Sequence, residues 1–245
     1  MKAVIFNSGL GNRMGDFTKN NHKSMAQLKD GETIFHRQIR LLSAEGVKDF
    51  LVTTGPFEEQ LKKEAADFPE LNFTFVRNAI YDKTNYIYSM YLAREYMQDD
   101  LLFLHGDLVF NRKLVHDVLN CEDKNTATVN FKKALPEKDF KGRVRDGKVL
   151  EVSIHIFDED CYAFQPFYKM DKATAAAWIK KVEEFIDKGE NKCYAENALN
   201  EIFAELDVRA FSYEDYYIDE IDNLDDHARV TADIIPFDEA DAKIF

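Results

Sequence analysis

Cysteine is scarce in this 245-residue chain, and long apolar runs are missing. The three cysteines, Cys121, Cys161 and Cys193, are far apart and form no CxxC pair, which argues against a disulfide framework or a zinc site. No stretch approaches the ~20 apolar residues that a membrane helix needs. The apolar run at the N-terminus is also too short for a signal peptide. We therefore expect a cytoplasmic protein with no membrane partner.

Positive charge is also in short supply. Lysine and arginine number 32 against 45 aspartate and glutamate residues, so the formal net charge is -13. Binding to a nucleic-acid backbone needs a basic face, so we expect no nucleic-acid partner. A small nucleotide remains compatible with this composition, because a local group of cationic side chains and backbone N–H groups, helped by a metal, can bind it.

Proline and glycine are few, at 5 and 10 residues, and we find no linker rich in them, no low-complexity segment and no internal repeat. Hydrophobic residues make up 45% of the chain and charged residues 31%, a balance that is ordinary for a globular protein and too apolar for a disordered one. The sequence therefore predicts one domain that spans residues 1–245.

Short apolar runs alternate with amphipathic segments in the first part of the chain. The apolar runs, and the alternation of apolar and polar residues at 72–77, predict strands, and the segments between them predict helices. Strands and helices at this spacing predict βαβ units and a mainly parallel sheet. The predicted strands are 2–7, 49–54, 72–77 and 101–105, and the predicted helices are 33–45, 57–66 and 85–97.

The pattern changes from about residue 125. Asp146-Gly147 predicts a hairpin turn within residues 142–154. We expect this second part to form a lid or an acceptor wall beside the sheet. The other predicted strands are 126–131, 161–167, 208–212 and 214–218, and the predicted helices are 172–188, 194–204 and 223–233.

A glycine-rich loop directly follows the first predicted strand. Gly9 and Gly11 allow the backbone to approach phosphates, and the guanidinium of Arg13 suits phosphate oxygens. Lys23, about ten residues on, could neutralise a triphosphate. The spacing is neither the dinucleotide GxGxxG pattern nor a P-loop. Taken alone, the loop is equally typical of a plain turn, and Lys23 of a solvated lysine.

Three carboxylates are candidates for a metal site. Asp107 follows a predicted strand and should lie at the carboxyl edge of the sheet, where it could hold Mg²⁺ against phosphates. Glu220 and Asp222 are two residues apart, so in an extended segment they face the same way and could complete the site. The alternatives are a turn or capping role for the aspartates and a solvated acidic run.

Aromatic residues are abundant, with 20 phenylalanines and 11 tyrosines. Several lie in the second part of the chain, as does Glu196. Aromatic faces together with a carboxylate can hold a quaternary ammonium group, although most aromatic residues in strands belong to the core. The candidates are Tyr162, Phe164, Phe167, Tyr168, Tyr194, Tyr216 and Tyr217.

Together these segments resemble the MobA-like and sugar-phosphate nucleotidyltransferases, and in particular the bacterial phosphocholine cytidylyltransferases. The loop has the family's Gly-x-Gly-x-Arg pattern, and Asn-His-Lys-Ser-Met is similar to the family's Thr-His-Lys-Ser-Leu. Gly-Asp-Leu stands where the family places a metal-binding aspartate. The resemblance covers nearly the whole chain. The matching segments are 8–13, 21–25, 85–90, 106–108 and 217–222.

The resemblance implies a Rossmann-like three-layer α/β sandwich of the nucleotide-diphospho-sugar transferase type. Its central sheet would be mixed and mainly parallel, with a small β-hairpin and helical lid over the acceptor. Residues 1–120 would form the NTP-binding half and residues 121–245 the acceptor-binding half. A homodimer is compatible with the resemblance, and the sequence does not specify one.

The resemblance also implies a reaction. CTP and a small phospho- or phosphono-alcohol would give a CDP- or CMP-linked product and pyrophosphate, with Mg²⁺ as cofactor. The implied catalytic residues are Arg13, Lys23, Asp107 and Asp222. The implied nucleotide-binding residues are Ser8, Gly9, Gly11, Asn12, Arg13, Lys23, Asn85 and Ser89. The implied acceptor-binding residues are Tyr162, Phe164, Tyr194, Glu196 and Tyr217, and the implied Mg²⁺ ligands are Asp107, Asp222 and Glu220.

The chain departs from the family pattern in two places. Asn7-Ser8 stands where the family usually has Ala-Ala, which changes the groups near the base. Residues 161–167 match the family's Gly-Val-Ser-Phe-Trp type of segment only loosely, and the single tryptophan, Trp178, lies in a predicted helix instead. The sequence therefore does not specify an aromatic cage for choline.

Phosphocholine is the first candidate acceptor, followed by 2-aminoethylphosphonate and a sugar 1-phosphate. A quaternary head group prefers aromatic faces and a primary amine prefers carboxylates and carbonyls, and the sequence supplies both. A nucleotide-binding regulatory module without turnover is an alternative, but the complete set of reactive residues favours an enzyme. A dinucleotide-binding oxidoreductase would need a third loop glycine and an acidic residue where Thr53-Thr54 ends the second strand.

Overall fold

The predicted alternation of strands and helices is present in the structure, a computed structural model that describes residues 1–29 and 31–245. Thr33 caps the first helix by accepting a hydrogen bond from the backbone N–H of His36. The helices are α1 (Ile34–Ala44), α2 (Glu58–Ala65), α3 (Tyr86–Ala93), α4 (Arg112–Asn120), α5 (Lys172–Asp187), α6 (Ala195–Asn200), α7 (Leu224–Asp233) and α8 (Ile235–Asp241). The strands are β1 (Lys2–Asn7), β2 (Asp49–Thr54), β3 (Asn72–Arg77), β4 (Leu101–His105), β5 (Leu108–Phe110), β6 (Thr126–Asn130), β7 (Lys141–Arg145), β8 (Lys148–Ser153), β9 (Cys161–Met170), β10 (Arg209–Ser212) and β11 (Ile218–Glu220).

The carboxyl ends of the parallel strands β1, β2 and β4 meet at one edge of the central sheet. The three strands begin at the same level of the sheet, because Lys2 of β1 pairs with Asp49 of β2 on one side and with Leu101 of β4 on the other. The loops that follow Asn7 and His105 therefore leave the sheet at the same edge. In open α/β sheets this is the edge that binds ligands.

The central sheet is mixed, as the resemblance implies, but it is not mainly parallel. Across the described residues its nine strands have the order β3-β2-β1-β4-β9-β6-β10-β8-β7, and β7 also pairs with β9. Strand β9 runs antiparallel to β4, β6 and β7. The predicted parallel arrangement holds for β1 to β4 and for the pair β6–β10. It fails elsewhere, because strands joined by a hairpin, such as β7 and β8, reverse direction.

Helices pack on both faces of this sheet. Successive residues of a strand point to opposite faces, and β1 shows this alternation. Val4 and Phe6 belong to the apolar cluster that includes residues of α3, α5 and α6, whereas Ala3 and Ile5 belong to the cluster that includes residues of α1, α2 and α4. The layers are therefore helix, sheet and helix, as predicted. None of the helices described is both long and apolar enough to cross a bilayer.

The hairpin prediction is confirmed. Asp146 and Gly147 join β7 to β8 with φ values of 51° and 74°, so both turn residues lie in the left-handed region that a tight hairpin turn requires. The sequence did not predict the second pairing of β7, which is with β9.

A two-stranded antiparallel ribbon of β5 and β11 lies beside the end of β4. The sequence pattern predicts neither the three-residue strand β5 nor the helices α4 and α8. The predicted strand 214–218 is wrong over most of its length. Its backbone turns where Tyr216 N donates to Tyr213 O (3.1 Å), and β11 begins only at Ile218. Two adjacent tyrosines favour a strand by propensity, but this local turn overrides them.

Candidate active site

A cavity of about 420 Å³ opens at the carboxyl edge of the central sheet. The loop after β1, the segment after β4 and the segment after β11 all line it, together with Lys138, Asp139 and Phe140, which precede the hairpin. Residues that are distant in sequence thus surround one space, and its volume is typical of a small-molecule site.

Most of the residues predicted for nucleotide, catalytic and metal roles line this cavity. Asn85 lines the cavity, and its side chain also caps α3 by accepting a hydrogen bond from the backbone N–H of Tyr86 (2.7 Å). Ser89 does not, because its hydroxyl is buried in α3 and accepts a hydrogen bond from Asn78 (3.0 Å). The predicted residues that line the cavity are Ser8, Gly9, Gly11, Asn12, Arg13, Lys23, Asn85, Asp107, Glu220 and Asp222.

The glycine loop lies directly against the side chain of Lys23. Gly11 has a φ of 62°, and a Cβ placed on it would come within 2.8 Å of the Cβ of Lys23. Both the backbone conformation and the close approach therefore require glycine at this position. Short 3₁₀ turns within Asn12–Lys19, interrupted by a non-helical Gly15, follow the loop, and the hydroxyl of Thr18 donates a hydrogen bond to the carbonyl of Gly11 (3.2 Å).

Lys23 lies between two carboxylates that arrive from distant parts of the chain. Its Nζ is 2.5 Å from Oδ2 of Asp107 and 3.0 Å from Oδ1 of Asp222. Burial by itself would lower the pKa of Lys23, but the two opposite charges outweigh burial and raise that pKa above its ordinary value. Arg13 reaches the same cluster with Nη2, 2.8 Å from Oδ2 of Asp222, while most of its side chain is exposed. The four predicted catalytic residues are thus in contact.

The carboxylates around Lys23 are crowded in a way that suits a divalent cation. Ligand atoms of His105, Asp107 and Glu220 lie within 4.8 Å of one another, as do those of Asp139, Glu220 and Asp222. Burial, and then the charges of Asp107 and Asp222, raise the pKa of Glu220 well above its usual range. In the described structure, Oδ1 of Asp107 is buried without a hydrogen-bond partner. An oxygen-rich set with an unpartnered buried oxygen fits Mg²⁺.

His22 fixes the segment that carries Lys23. It is buried, and its Nε2 is 2.7 Å from the carbonyl oxygen of Asn7, while its Nδ1 accepts a hydrogen bond from the backbone N–H of Ser24 (3.2 Å). These contacts require the tautomer that carries its hydrogen on Nε2. Burial lowers the pKa of His22 from 6.5 to about 4, so the imidazole is neutral in the folded protein at neutral pH.

Replacing His22 by glutamine should make the free energy of unfolding less dependent on pH below pH 6.5. Between pH 6.5 and about 4 the unfolded chain binds a proton at His22 that the folded protein does not, so stability falls as the pH falls through this window. The full shift corresponds to about 3 kcal/mol of unfolding free energy. Urea unfolding at pH 7 and at pH 4.5 measures the unfolding free energy of wild type and of His22→Gln. The exposed His155→Gln is the control. If wild type and His22→Gln lost the same unfolding free energy between pH 7 and pH 4.5, this explanation would be rejected.

Asn7, one of the two departures from the family pattern, packs against Gly106. A Cβ on Gly106 would lie only 1.6 Å from Oδ1 of Asn7, so the amide occupies the space that any other residue at 106 would fill. Its neighbour Ser8 donates a hydrogen bond from its hydroxyl to that of Thr53 (2.9 Å). The Asn-Ser pair therefore ties the glycine loop to β2 and to the residue that precedes Asp107.

Aromatic side chains line a second part of the cavity, and we call Phe6, Tyr86, His105, Phe140 and Tyr194 the aromatic wall. Ring centroids are 4.7 Å apart for Tyr86 and His105, and 5.0 Å apart both for Phe6 and Tyr86 and for Phe140 and Tyr194. The wall lies close to the carboxylates, because His105 also belongs to one of the two acidic groups.

Two of the predicted acceptor-binding residues take part in this arrangement, in different ways. Tyr194 lines the cavity and is half-buried. Glu196 lies behind the wall, where its carboxylate accepts hydrogen bonds from the hydroxyls of Tyr86 and Tyr168, the latter at 2.9 Å. Glu196 therefore orients Tyr86 and does not itself line the cavity.

The other three predicted acceptor residues do not line the cavity. Phe164 is buried in the core, Tyr162 packs its ring on Phe131 (4.8 Å), and Tyr217 packs on Phe237 (5.4 Å). Alternation along a strand shows that side chains occupy two faces, but it does not show which face borders a cavity. The remaining aromatic candidates also lie elsewhere: Phe167 and Tyr168 are buried, and Tyr216 donates its hydroxyl to Asp117.

Several cavity residues were missing from the sequence-based predictions. Asp139 is among them, and burial, followed by the charges of Asp222 and Asp219, raises its pKa. Phe140 is another, and no local pattern distinguishes either residue from its neighbours. His105 stood next to the predicted Gly106-Asp107 step and could have been assigned from its place at the end of β4.

Curated relatives of the chain include nucleotidyltransferases from bacteria. The chain is 24% identical over 235 residues to the choline-phosphate cytidylyltransferase of Streptococcus pneumoniae, a match that covers 94% of this chain and 96% of that protein. It is 25% identical over 160 residues to the CTP:phosphoglutamine cytidylyltransferase of Campylobacter jejuni, which covers 62% of each chain. The chain thus spans less than two thirds of the Campylobacter protein but almost all of the streptococcal one.

Solved structures show the same fold at low identity. The CTP:phosphocholine cytidylyltransferase of Streptococcus pneumoniae superposes with a TM-score of 0.79 at 22% identity, covering 95% of this chain and 98% of that one. The inositol-1-phosphate CTP transferase of T. maritima gives a TM-score of 0.76 at 18% identity, covering 95% of both chains. The family model of the MobA-like NTP transferase domain matches residues 3–190. The chain therefore belongs to the MobA-like NTP transferase family and is a nucleotidyltransferase.

Proposed function

We propose that this nucleotidyltransferase is a Mg²⁺-dependent cytidylyltransferase. It joins CTP to a small phospho- or phosphono-alcohol, with phosphocholine as the leading acceptor, and releases pyrophosphate. One observation carries the proposal: Lys23 contacts both Asp107 and Asp222 beside the glycine loop, in a cavity that also has an aromatic wall. The similarity to named cytidylyltransferases supports the choice of CTP.

The chain's own residues would position two anions and offset their charge. Backbone N–H groups of the loop at Gly9 and Gly11, with the side chains of Arg13 and Lys23, would bind the triphosphate. An oxygen of the acceptor phosphate attacks the α-phosphorus in line, the bond to the bridging oxygen of pyrophosphate breaks, and pyrophosphate leaves with that bonding electron pair. The cations offset the charge that develops on the leaving group.

Asp107 and Asp222 would hold the Mg²⁺, with Glu220 within reach of both. Bound there, the metal would reduce the repulsion between the α-phosphate and the acceptor phosphate. The ammonium group of Lys23 contacts these same carboxylates, which places it where phosphate and metal charges would meet.

The aromatic wall supports a cationic head group on the acceptor. The rings of Tyr86, Phe140 and Tyr194 offer π faces to a quaternary ammonium, which has no hydrogen-bond donor of its own. A primary amine would need acceptors instead. Asp139 lines the same cavity, and this observation keeps 2-aminoethylphosphonate as the second candidate.

A pyrophosphate-release screen tests the proposed function. Four NTPs are each combined with phosphocholine, 2-aminoethylphosphonate and a panel of sugar 1-phosphates, with Mg²⁺ present and with each acceptor omitted as control. We expect the fastest acceptor-dependent release from CTP with phosphocholine. If release were fastest with 2-aminoethylphosphonate, the acceptor would carry a primary amine and not a quaternary ammonium group. No acceptor-dependent release in any CTP combination would overturn the cytidylyl transfer proposal.

A further inference from the structure

The β5–β11 ribbon sets the distance between the two carboxylates that contact Lys23. Asp107 immediately precedes β5, and Asp222 follows β11 after a single residue. The strands pair in antiparallel register, with Glu220 opposite Leu108, and the N–H of Ile221 donates to the carbonyl of Asp107 (3.1 Å). A shift of β11 by one residue would move Asp222 by about 3.3 Å and turn its side chain to the other face.

Asn111 holds the opposite end of this ribbon. Its backbone N–H donates to the carbonyl of Tyr217, and its side-chain Oδ1 accepts a hydrogen bond from the N–H of Tyr217, both at 3.1 Å. Its Nδ2 donates to both carboxylate oxygens of Asp241 at 3.1 Å. Asn111 and Asp241 are both buried. The side-chain amide of Asn111 thus holds the residue that precedes β11 against the end of β5 and connects the ribbon to α8.

Asp241 and Arg37 attach α8 to the same end of the ribbon. Besides Asn111, the carboxylate of Asp241 accepts a hydrogen bond from the N–H of Lys113 (3.1 Å). The buried Arg37 donates to the carbonyl of Phe110, the last residue of β5, from Nε (3.1 Å) and Nη2 (2.9 Å). The same guanidinium contacts Asp238 of α8 at 2.6 and 3.0 Å.

We propose that Asn111 and Asp241 are positioning residues for the divalent-cation site. Through them α8 fixes the register of β5 against β11 and so the separation of the Asp107 and Asp222 carboxylates. This rests on the proposed function, because those carboxylates are taken as the metal ligands. An apolar pair at positions 111 and 241 could fill the same buried space, but it would not hold β11 in a single register.

Mn²⁺ binding to the nucleotide-free protein, followed by electron paramagnetic resonance, tests the proposal without turnover. Asn111→Asp places a second carboxylate against that of Asp241, and the two repel each other. We therefore expect Mn²⁺ affinity to fall about tenfold, in the range seen when groups that support metal ligands are changed. The double variant Asn111→Asp/Asp241→Asn exchanges the two groups and should restore affinity to within about twofold of wild type. The exposed Asn120→Asp on α4 adds the same charge and should leave affinity unchanged.

Thermal unfolding and steady-state kinetics accompany each titration. If Asn111→Asp lowers the melting temperature but keeps wild-type Mn²⁺ affinity in the folded protein, the residues are merely structural and the proposal is overturned. If Asn111→Asp does not fold, Asp241→Asn alone provides the test, and its unchanged affinity would overturn the proposal equally. If wild type itself binds no Mn²⁺, the proposed metal site fails, and that result is distinguishable from a failure of the positioning role.

Discussion

Replacing Asp107 by asparagine is expected to slow pyrophosphate release from CTP and acceptor by about 1,000-fold, because a metal-bound carboxylate supports several kcal/mol of transition-state stabilisation. Asparagine keeps the shape of the side chain but removes its charge. The fold should survive, because Lys23 retains Asp222 as a partner at 3.0 Å and one of several crowded carboxylates is neutralised. The measurement is kcat at saturating Mg²⁺, with melting temperature as the check on folding.

The matched control is Asp225→Asn. Asp225 is exposed at the start of α7, three residues beyond Asp222, and it does not line the cavity. The substitution removes the same charge from the same region of the chain and should leave kcat within about twofold of wild type. If Asp107→Asn retained more than a tenth of the wild-type turnover, Asp107 would not be a metal ligand in catalysis.

The residues proposed to bind the nucleotide could be predicted because most of them are local in sequence. The bounds of β1, β2, β3 and β4 agree with the prediction. The buried strands β1, β2 and β4 appear as continuous apolar runs, and the half-buried β3 appears as an alternation of apolar and polar residues. Once β1 and β4 are known, Gly9, Gly11 and Asp107 must lie near one sheet edge. The contact between Lys23 and Asp222 spans 199 residues, and nothing in the sequence predicted that contact itself. The two-residue spacing of Glu220 and Asp222 suggested only that they could join Asp107, and the resemblance to a family supported that grouping.

The part of the cavity proposed for the acceptor could not be predicted in the same way. Asp139 and Phe140 reach the cavity because β7 pairs with β9, and that pairing has no marker in the sequence. Strand β9 reverses direction relative to β4, so its alternation could not be assigned to a face. The three-residue strands β5 and β11 are too short for any periodic pattern, although they place the carboxylates.

A second large effect is expected for Lys23→Met, and it has two opposite parts. Turnover should fall by about 100- to 1,000-fold, the usual loss when a group that stabilises developing charge is removed. Methionine has a similar length and no charge, so it can fill the space without contacting phosphate. The exposed Lys19→Met, at the end of the same loop segment, removes an equal charge and should keep turnover within about twofold of wild type.

The affinity of Lys23→Met for a divalent cation should rise, although its turnover falls. The ammonium of Lys23 contacts both Asp107 and Asp222, so in the nucleotide-free protein it competes with a divalent cation for the same oxygens. Removing it leaves Asp107 without its ammonium partner and Asp222 with Arg13 alone, and we expect Mn²⁺ to bind about tenfold more tightly to nucleotide-free Lys23→Met than to wild type. The expected combination of slower turnover and tighter metal binding separates a catalytic role for Lys23 from a structural one. A lysine that merely held the carboxylates in place would lower both turnover and metal affinity when removed, and that outcome would contradict the role assigned to it here.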